Sequence, residues 1–376
     1  MSAFPHGGDV SGMARELGCG PDDILDFSAS INPLGPPDWL RPCISGAVSA
    51  LVRYPDPHSL ALRRAASERL GRPVEEILAG NGTSELIFCL ARACGLRRAV
   101  IPSPCYHDYA QACERAGMAV ERPLLREDRG FALDASELSR AIADGAPAAV
   151  FLARPNNPTG LDVPAGEVRR LARRHPECLF VIDEAFGSFV EGFKSLAPDR
   201  PDNVAVLLSL TKMFAMPGLR LGLAVAGEEL ARAVRLEQAP WSVNSLAQAV
   251  GLRAVADASF EERTRQAVRE LRAELSQGLE ALPGVTVFPG QANYLFCRLD
   301  LPGHPEPVPA LRARLLKERL AIRDCSNFPG LDARHFRLAV RPRPENLALL
   351  EAMGRALREM SAPQSDGVPG LGAPGM

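Results

Sequence analysis

The sequence contains no Cys-x-x-Cys pair, and its nine cysteines are scattered irregularly along 376 residues. An odd number of cysteines at irregular spacing is not typical of a disulfide framework or of a zinc site. We therefore expect no bound metal. The thiols are expected to stay reduced, as is usual for a cytoplasmic protein.

Long apolar runs and an excess of basic residues are also lacking. No run reaches the roughly 20 apolar residues of a membrane-spanning helix. Residues Met1–Asp9 show no basic region followed by an apolar stretch, so no secretory signal is visible. The formal net charge of −2 leaves no extended basic surface for a nucleic acid. We therefore expect a cytoplasmic protein with neither a membrane nor a nucleic acid as partner.

Short apolar runs alternate with helical segments through the middle of the chain. This alternation predicts an α/β fold with a mostly parallel sheet that helices cover on both faces. The predicted strands are Arg98–Pro102, Ala148–Leu152, Leu179–Ile182, Val204–Leu208 and Leu223–Ala226. The predicted helices include Ser59–Leu70, Ser84–Cys94, Ala135–Ala143 and Pro164–Arg174.

The chain is too long for one ordinary core, and its composition changes near residue 240. Residues 1–40 are rich in glycine, proline, aspartate and serine, which predicts an extended N-terminal arm with turns. We predict a large domain at 41–240, a smaller α+β domain at 241–361 and a disordered tail at 362–376. A long amphipathic helix at Phe260–Leu282 is expected to connect the two domains. The small domain is further predicted to contain strands at Val285–Phe288, Tyr294–Leu299 and Phe336–Val340 and helices at Pro309–Glu318 and Glu345–Glu359.

Three residues that pyridoxal phosphate requires follow one another near predicted strand ends. Asp183 ends one strand, Lys212 follows the next, and Arg220 stands in a Pro-Gly-Leu-Arg-Leu-Gly stretch. A lysine forms a Schiff base with this cofactor, an acid pairs with its pyridinium nitrogen, and an arginine suits its phosphate. An aspartate at the carboxyl end of a parallel strand points into the crevice where α/β proteins bind ligands. The sequence therefore predicts a pyridoxal-phosphate enzyme.

Glycine and hydroxyl residues accompany these three. Gly82 and Thr83 precede an apolar helical run, where free backbone N–H groups can hold a phosphate. Ser209 and Thr211 place hydroxyls beside the lysine. Each motif alone also has an ordinary explanation, as a helix cap, a loop-capping or metal-binding acid, or a solvated surface lysine. The combination of all of them is what favours a cofactor site.

Together with Val-Ile-Asp-Glu-Ala-Phe and Arg-Pro-Asn-Asn-Pro-Thr-Gly, these motifs resemble those of one known family. It is the fold-type-I, aspartate-aminotransferase-like family of pyridoxal-phosphate enzymes, and the resemblance covers residues 25–355. It implies a large domain with a mixed, mostly parallel sheet and a smaller α+β domain. It also implies a homodimer whose active sites are shared between the subunits.

The resemblance also implies a role for individual residues. Lys212 would form the imine with the cofactor, Asp183 would pair with the ring nitrogen, and Tyr106 would stack on the ring, which makes these three the catalytic set. The other implied contacts are Asn157 to the ring hydroxyl oxygen, Gly82, Thr83, Ser209, Thr211 and Arg220 to the cofactor phosphate, Tyr54 to the phosphate bound by the partner subunit, and Arg337 to the substrate α-carboxylate. One departure is Phe186, where many members carry a tyrosine whose hydroxyl contacts the ring oxygen.

Two branches of the family look closest, the L-threonine-O-3-phosphate decarboxylases and the histidinol-phosphate aminotransferases. The stretches that favour the decarboxylases are His6–Gly8, Asp26–Gly35, Asp183–Phe186, Arg323–Phe328 and Phe336–Arg341. This resemblance implies decarboxylation of O-phospho-L-threonine to (R)-1-aminopropan-2-yl phosphate and CO2 for the cobalamin nucleotide loop. The substrate amine would first displace Lys212 to form an external aldimine.

Two arginines near the end of the chain support a phosphorylated substrate. Arg337 and Arg341 would face the same side of a regular strand, because side chains alternate with period two. Two cations aimed at one pocket suit a carboxylate together with a phosphate. Asn32 and His6 are further predicted substrate contacts. Arg341 as a solvated charge and His6 as a surface residue remain alternatives.

The residues alone leave the reaction open. A decarboxylase and an aminotransferase begin alike and differ in which Cα bond stands perpendicular to the cofactor ring. An aminotransferase for histidinol phosphate or another amino acid is therefore an alternative. A third hypothesis is a cofactor-bearing binding or regulatory module without turnover, although Lys212, Asp183 and Arg220 are all retained.

Overall fold

A computed structural model describes residues 6–361 of the chain. The strands are β1 (Leu25–Asp26), β2 (Ile77–Gly80), β3 (Arg98–Val100), β4 (Ala119–Glu121), β5 (Ala149–Ala153), β6 (Leu179–Asp183), β7 (Val204–Ser209), β8 (Gly222–Val225), β9 (Val285–Val287), β10 (Tyr294–Leu299), β11 (Leu320–Ala321), β12 (Arg323–Asp324) and β13 (His335–Ala339). The helices are α1 (Val10–Leu17), α2 (Leu40–Ala47), α3 (Leu60–Leu70), α4 (Gly82–Ala93), α5 (His107–Arg115), α6 (Ala135–Ala143), α7 (Ala165–Arg174), α8 (Leu210–Met213), α9 (Glu228–Glu237), α10 (Ser245–Val255), α11 (Ala258–Glu280), α12 (Pro307–Lys317) and α13 (Arg343–Ser361). None of the helices in this described part is both long enough and apolar enough to cross a membrane.

Seven strands form the larger sheet, in the order β2-β8-β7-β6-β5-β3-β4. Strands β7, β6, β5, β3 and β4 pair in parallel, and β8 runs antiparallel to both of its neighbours. The central strands are buried along almost their whole length, because helices cover both faces of the sheet. The predicted α/β fold with a mostly parallel sheet is therefore confirmed.

The smaller sheet contains four antiparallel strands in the order β12-β13-β10-β9. Helices α11, α12 and α13 supply apolar side chains that pack with the sheet into a separate core. Phe27, which is fully buried, belongs to this core although it lies far away in the sequence. The predicted α+β unit thus has its own hydrophobic interior.

The first described residues do not form the extended arm that we expected. Residues 10–17 form α1, whose Met13 and Ala14 pack against Leu316 and Ala321, and β1 pairs in parallel with β11. The apolar residues of this segment recur at helical spacing, which makes one buried face despite the polar composition. The predicted tail at 362–376 lies outside the described residues.

The long helix α11 connects the two cores. It begins after Asp257, whose carboxylate accepts a hydrogen bond from the Phe260 backbone N–H at 3.0 Å. Phe260 and Val268 pack in the core of the large sheet, whereas Leu275 and Leu279 pack in the core of the small sheet. Helix α10 also packs on the large sheet, and the domain limits at residues 40 and 240 stay predictions.

The residues that directly follow β5 and β6, Arg154 and Glu184, form a buried ion pair. Arg154 is 1% exposed and Glu184 is 3% exposed, and their Nη1 and Oε1 atoms are 2.7 Å apart. The Glu184 carboxylate also accepts hydrogen bonds from the Ser195 hydroxyl and the Leu196 N–H. Burial raises the pKa of Glu184, and the Arg154 cation opposes that rise. The pair holds together the loops that follow the two strands.

We expect Arg154→Met to lower the free energy of unfolding by about 3–5 kcal/mol, because it leaves the buried Glu184 carboxylate without its cation. Arg170→Met is the matched control, since Arg170 pairs with Glu167 while 68% exposed, and it should cost no more than about 1 kcal/mol. Urea denaturation of both variants checks this. Equal losses in the two variants would show that the buried pair has no special role.

Candidate active site

A cleft of about 210 Å³ lies at the carboxyl ends of β5, β6 and β7. Adjacent parallel strands end at the same edge of a sheet, so the residues that follow them meet there. Most of the residues predicted from the sequence line this cleft. They are His6, Gly82, Thr83, Tyr106, Asn157, Asp183, Ser209, Thr211, Lys212, Arg220 and Arg337.

Lys212 lies in the short helix α8, directly after β7. Its Nζ atom is 4.9 Å from the centre of the Phe186 ring. Burial lowers the pKa of Lys212, and the cations Arg220 and Arg337 lower it further, whereas Asp183 opposes the change. The lysine therefore loses its proton at a lower pH than a solvated lysine, which favours the nucleophilic amine.

Asp183 is fixed by two hydrogen bonds at the end of β6. Its Oδ2 accepts from the Tyr109 hydroxyl at 2.7 Å, and its Oδ1 accepts from the Ala185 N–H at 2.8 Å. Burial and the nearby Asp183 charge raise the pKa of Tyr109 well above its usual value, so its hydroxyl stays a donor. Tyr109 was not among the predicted site residues, although its position three residues after Tyr106 at the start of a helix was a signal.

Glycines at the start of α4 and at the start of β8 leave the backbone there uncovered by side chains. Gly82 has a φ of +78°, and a Cβ atom there would lie 2.4 Å from Nη2 of Arg220. A Cβ on Gly222 would lie 2.5 Å from the Thr83 nitrogen. Only glycine fits at both positions, which leaves the N–H groups of the helix start beside a guanidinium. This arrangement fits the phosphate group of a cofactor.

Arg337 lies in the middle of β13 and is held on several sides. Its Nη2 donates to the Ser28 carbonyl at 2.8 Å, its Nη1 donates to Asn157 Oδ1, and its guanidinium lies 5.0 Å from the centre of the Tyr294 ring. The buried Nε atom has no hydrogen-bond partner among the described residues. Arg337 is thus a rigidly placed cation in the lining of the cleft.

The arginine that lies beside Arg337 in the cleft is Arg323, not Arg341. The expectation that Arg341 shares a strand face with Arg337 is wrong, because β13 ends at Ala339 and Arg341 Nε donates to Glu345 at 2.6 Å. Arg323 on β12 is the direct cross-strand partner of Arg337, and both line the cleft. Residues directly opposite each other project from the same face of a sheet.

Asn32 is placed differently from its prediction as a substrate contact. Its side-chain amide donates to the Met213 carbonyl at 2.6 Å and to the Thr264 hydroxyl at 2.8 Å, and its oxygen accepts from the Leu34 N–H. Its own N–H donates to the Lys212 carbonyl at 3.2 Å. These contacts use its hydrogen-bonding groups, so Asn32 fixes the lysine-bearing turn against α11.

Tyr54 lies outside the cleft of its own chain. It is 79% exposed and stacks on Trp241, with ring centres 4.5 Å apart. Leu51, Val52 and Leu236 are also exposed apolar side chains. This placement is compatible with an action of Tyr54 on a second subunit.

His6 lines the cleft beside Asp108, which no pattern in the sequence singled out. Its Nε2 is 3.0 Å from Asp108 Oδ1, and the Tyr106 hydroxyl lies 3.4 Å from Ser84 Oγ. The acid follows Tyr106 by two residues, a spacing that no sequence signal marked.

Residues 6–361 contain no group of histidine, cysteine and acidic side chains that could hold a metal ion.

Comparison with known proteins places these observations in a family. Residues 22–353 match the family model of aminotransferase class I and II. The chain is 39% identical over 357 residues to the threonine-phosphate decarboxylase of Salmonella typhimurium. The matched region covers 94% of this chain and 96% of that relative. The chain is 34% identical over 356 residues to the adenosylcobalamin biosynthesis bifunctional protein CobDQ of Leptospira interrogans, covering 94% of this chain but only 41% of that longer protein.

A solved structure shares the same fold. The histidinol-phosphate aminotransferase from Clostridium acetobutylicum superimposes with a TM-score of 0.82 at 27% sequence identity, over 89% of this chain and all of that one. The aspartate-aminotransferase-like fold predicted from the sequence is therefore confirmed. This chain belongs to the aminotransferase class I and II family.

Proposed function

We propose that this protein is a pyridoxal-phosphate-dependent decarboxylase that converts O-phospho-L-threonine to (R)-1-aminopropan-2-yl phosphate and CO2. The product would serve assembly of the cobalamin nucleotide loop, in line with the names of the two curated relatives. The observation that carries the proposal is the pair of arginines, Arg323 and Arg337, side by side in the cleft that contains Lys212. Two fixed cations match a substrate with two anionic groups.

The residues of the cleft fit pyridoxal phosphate. Lys212 supplies the amine that links to it, and Asp183 supplies a fixed carboxylate for its ring nitrogen. The bare start of α4, with Arg220 beside it, suits its phosphate, and Ser209 and Thr211 add hydroxyls 3.0 Å apart. When bound, the cofactor captures amines through its aldehyde and accepts the electrons of a broken Cα bond into its ring.

Lys212 carries out the proton transfer. Burial lowers the pKa of its amine below the usual value, so Lys212 loses its proton more readily than a solvated lysine, and the substrate amine would displace it from the cofactor. The freed Nζ atom, which takes up the proton that the incoming substrate ammonium gives up, would then donate that proton to the substrate Cα in place of the departing CO2. The Phe186 ring beside it offers no hydroxyl that would compete as an acid.

The positions of the two arginines decide which bond at Cα breaks. Arg337 is held by the Ser28 carbonyl and Asn157, so its position does not depend on a ligand. Arg323 stands opposite it across the strand pair. An anion held at each arginine restricts rotation of the substrate, and that rotation separates loss of CO2 from loss of the Cα proton.

An aminotransferase that acts on histidinol phosphate is the alternative function. It is favoured by the fold shared with the Clostridium acetobutylicum enzyme over 89% of this chain. Both substrates are phosphorylated amines, so the cationic cleft alone does not separate them. The substrate carboxylate does, because histidinol phosphate has none.

A homodimer and a cytoplasmic location complete the proposal. Tyr54 and Trp241 stack on each other while exposed, and Leu51 and Val52, just before Tyr54 in the chain, are exposed too, so a second subunit could cover these side chains. In that dimer Tyr54 would reach the cofactor phosphate of the partner subunit. All nine cysteines are free thiols, which suits a reducing cytoplasm.

The proposed reaction predicts that the loaded enzyme releases CO2 from O-phospho-L-threonine without any 2-oxo acid. Trapping of CO2 and mass spectrometry of the amine product measure this. Lys212→Ala should lower kcat by at least about a thousandfold, because it removes the proton donor, whereas Lys194→Ala should leave it unchanged. Conversion of the cofactor to its amine form by histidinol phosphate, without CO2 from phosphothreonine, would support the aminotransferase instead.

The shared active site predicts complementation between two defective subunits. Tyr54→Ala and Lys212→Ala homodimers should each be impaired. A hybrid dimer of the two, purified with two different tags, should regain about half of the wild-type activity, because one of its two sites is complete. A hybrid with no regained activity would contradict a role of Tyr54 in the partner's site, and so would full activity of the Tyr54→Ala homodimer.

A further inference from the structure

Asp108 is a buried carboxylate next to the cleft, and the proposed reaction does not use it. It lies on α5, is 7% exposed, and faces two ring side chains. Its Oδ2 accepts from the Tyr106 hydroxyl at 2.7 Å, and its Oδ1 lies 3.0 Å from Nε2 of His6. The His6 and Tyr106 ring centres are 5.5 Å apart. One carboxylate thus holds two walls of the cleft.

The segment around His6 is also held on its other side. The Gly8 N–H donates to Ser28 Oγ at 2.9 Å. A Cβ atom on Gly7 would lie only 2.2 Å from the Ser28 carbonyl oxygen, so this segment packs directly on residue 28. The same carbonyl accepts from Arg337. The contacts therefore connect the substrate arginine, the His-Gly-Gly segment and Asp108.

A negatively charged Asp108 is unexpected beside a cleft that is proposed to bind an anionic substrate. Burial alone would raise its pKa, but hydrogen bonds from His6 and Tyr106 bring the pKa below its usual value. The carboxylate is therefore ionised at neutral pH and would repel an anionic substrate if it faced the cleft alone. Its two oxygens face His6 and the Tyr106 hydroxyl, and the contact with His6 fixes the imidazole in the lining of the cleft.

We propose that Asp108 is a positioning residue that holds His6 and the Tyr106 ring in place and so sets the affinity of the cleft for a phosphorylated substrate. It does not touch the reacting atoms. The proposal rests on the proposed function, because it assigns the phosphate end of the substrate to the side of the cleft formed by His6 and Arg323.

Kinetics of Asp108→Asn, His6→Gln and the double variant test this, with Asp134→Asn as control at an exposed helix cap. Each single variant should raise KM for O-phospho-L-threonine about tenfold, with kcat within about threefold of wild type, and the double variant should add nothing further. Additive effects, or a KM for Asp108→Asn equal to that of the control, would overturn the proposal. A lower KM in Asp108→Asn would overturn it too, because the carboxylate would then act only by repulsion.

Two further measurements keep the test independent of turnover. Binding of inorganic phosphate to the protein loaded with pyridoxal phosphate, measured by the shift in its thermal unfolding temperature, should weaken about tenfold in Asp108→Asn and in His6→Gln. The Asp108 charge favours a protonated nitrogen at Lys212, so the imine nitrogen of the loaded Asp108→Asn enzyme should lose its proton at lower pH in an absorbance titration. Unchanged phosphate binding contradicts the positioning role, whereas absence of CO2 release by the wild type contradicts only the proposed reaction.

Discussion

The site depends on the groups that favour and disfavour protonation of the Lys212 amine. Burial and the cations Arg220 and Arg337 disfavour the charged form of Lys212, and Asp183 favours it. This balance requires Lys212 and Asp183 to lie close together at the ends of neighbouring strands. Strands β6 and β7 provide that, because their parallel register pairs Asp183 with Leu207, shortly before the lysine-bearing turn. The buried Arg154–Glu184 pair then fixes the loops that follow β5 and β6.

The strands that carry Lys212 and Asp183 to the cleft could be predicted from the sequence. The strands β5, β6 and β7 are short apolar runs that are buried on both faces, and such runs stand out between polar helices. Because parallel strands end at one edge of a sheet, the motifs that follow them were expected to meet. The structure brings Asn157, Asp183 and Lys212 together in one cleft for that reason. The helix α6 was predicted with its observed limits, since Asp134 caps its start.

Features that depend on contacts between distant segments could not be predicted. Alternation along one strand suggested Arg341, whereas the second cation is Arg323, which pairs with Arg337 only because β12 joins β13. Asn32 bonds to residues of α8 and α11, and no periodicity in the sequence records such a contact. Helix α5, which carries Tyr109, was missed because its buried face contains small side chains and few large apolar ones. Local sequence patterns therefore predicted where the strands end, but not which side chains from distant segments contact the residues at those ends.

Covalent attachment of the cofactor at one lysine is the central claim, and the chain allows a direct measurement of it. The sequence contains only three lysines, Lys194, Lys212 and Lys317. Borohydride reduction of the protein loaded with pyridoxal phosphate, followed by peptide mass spectrometry, distinguishes them. The account predicts a reduced adduct on the Lys212 peptide and none on the other two. A protein without any adduct, or with the adduct on Lys194 or Lys317, would contradict it.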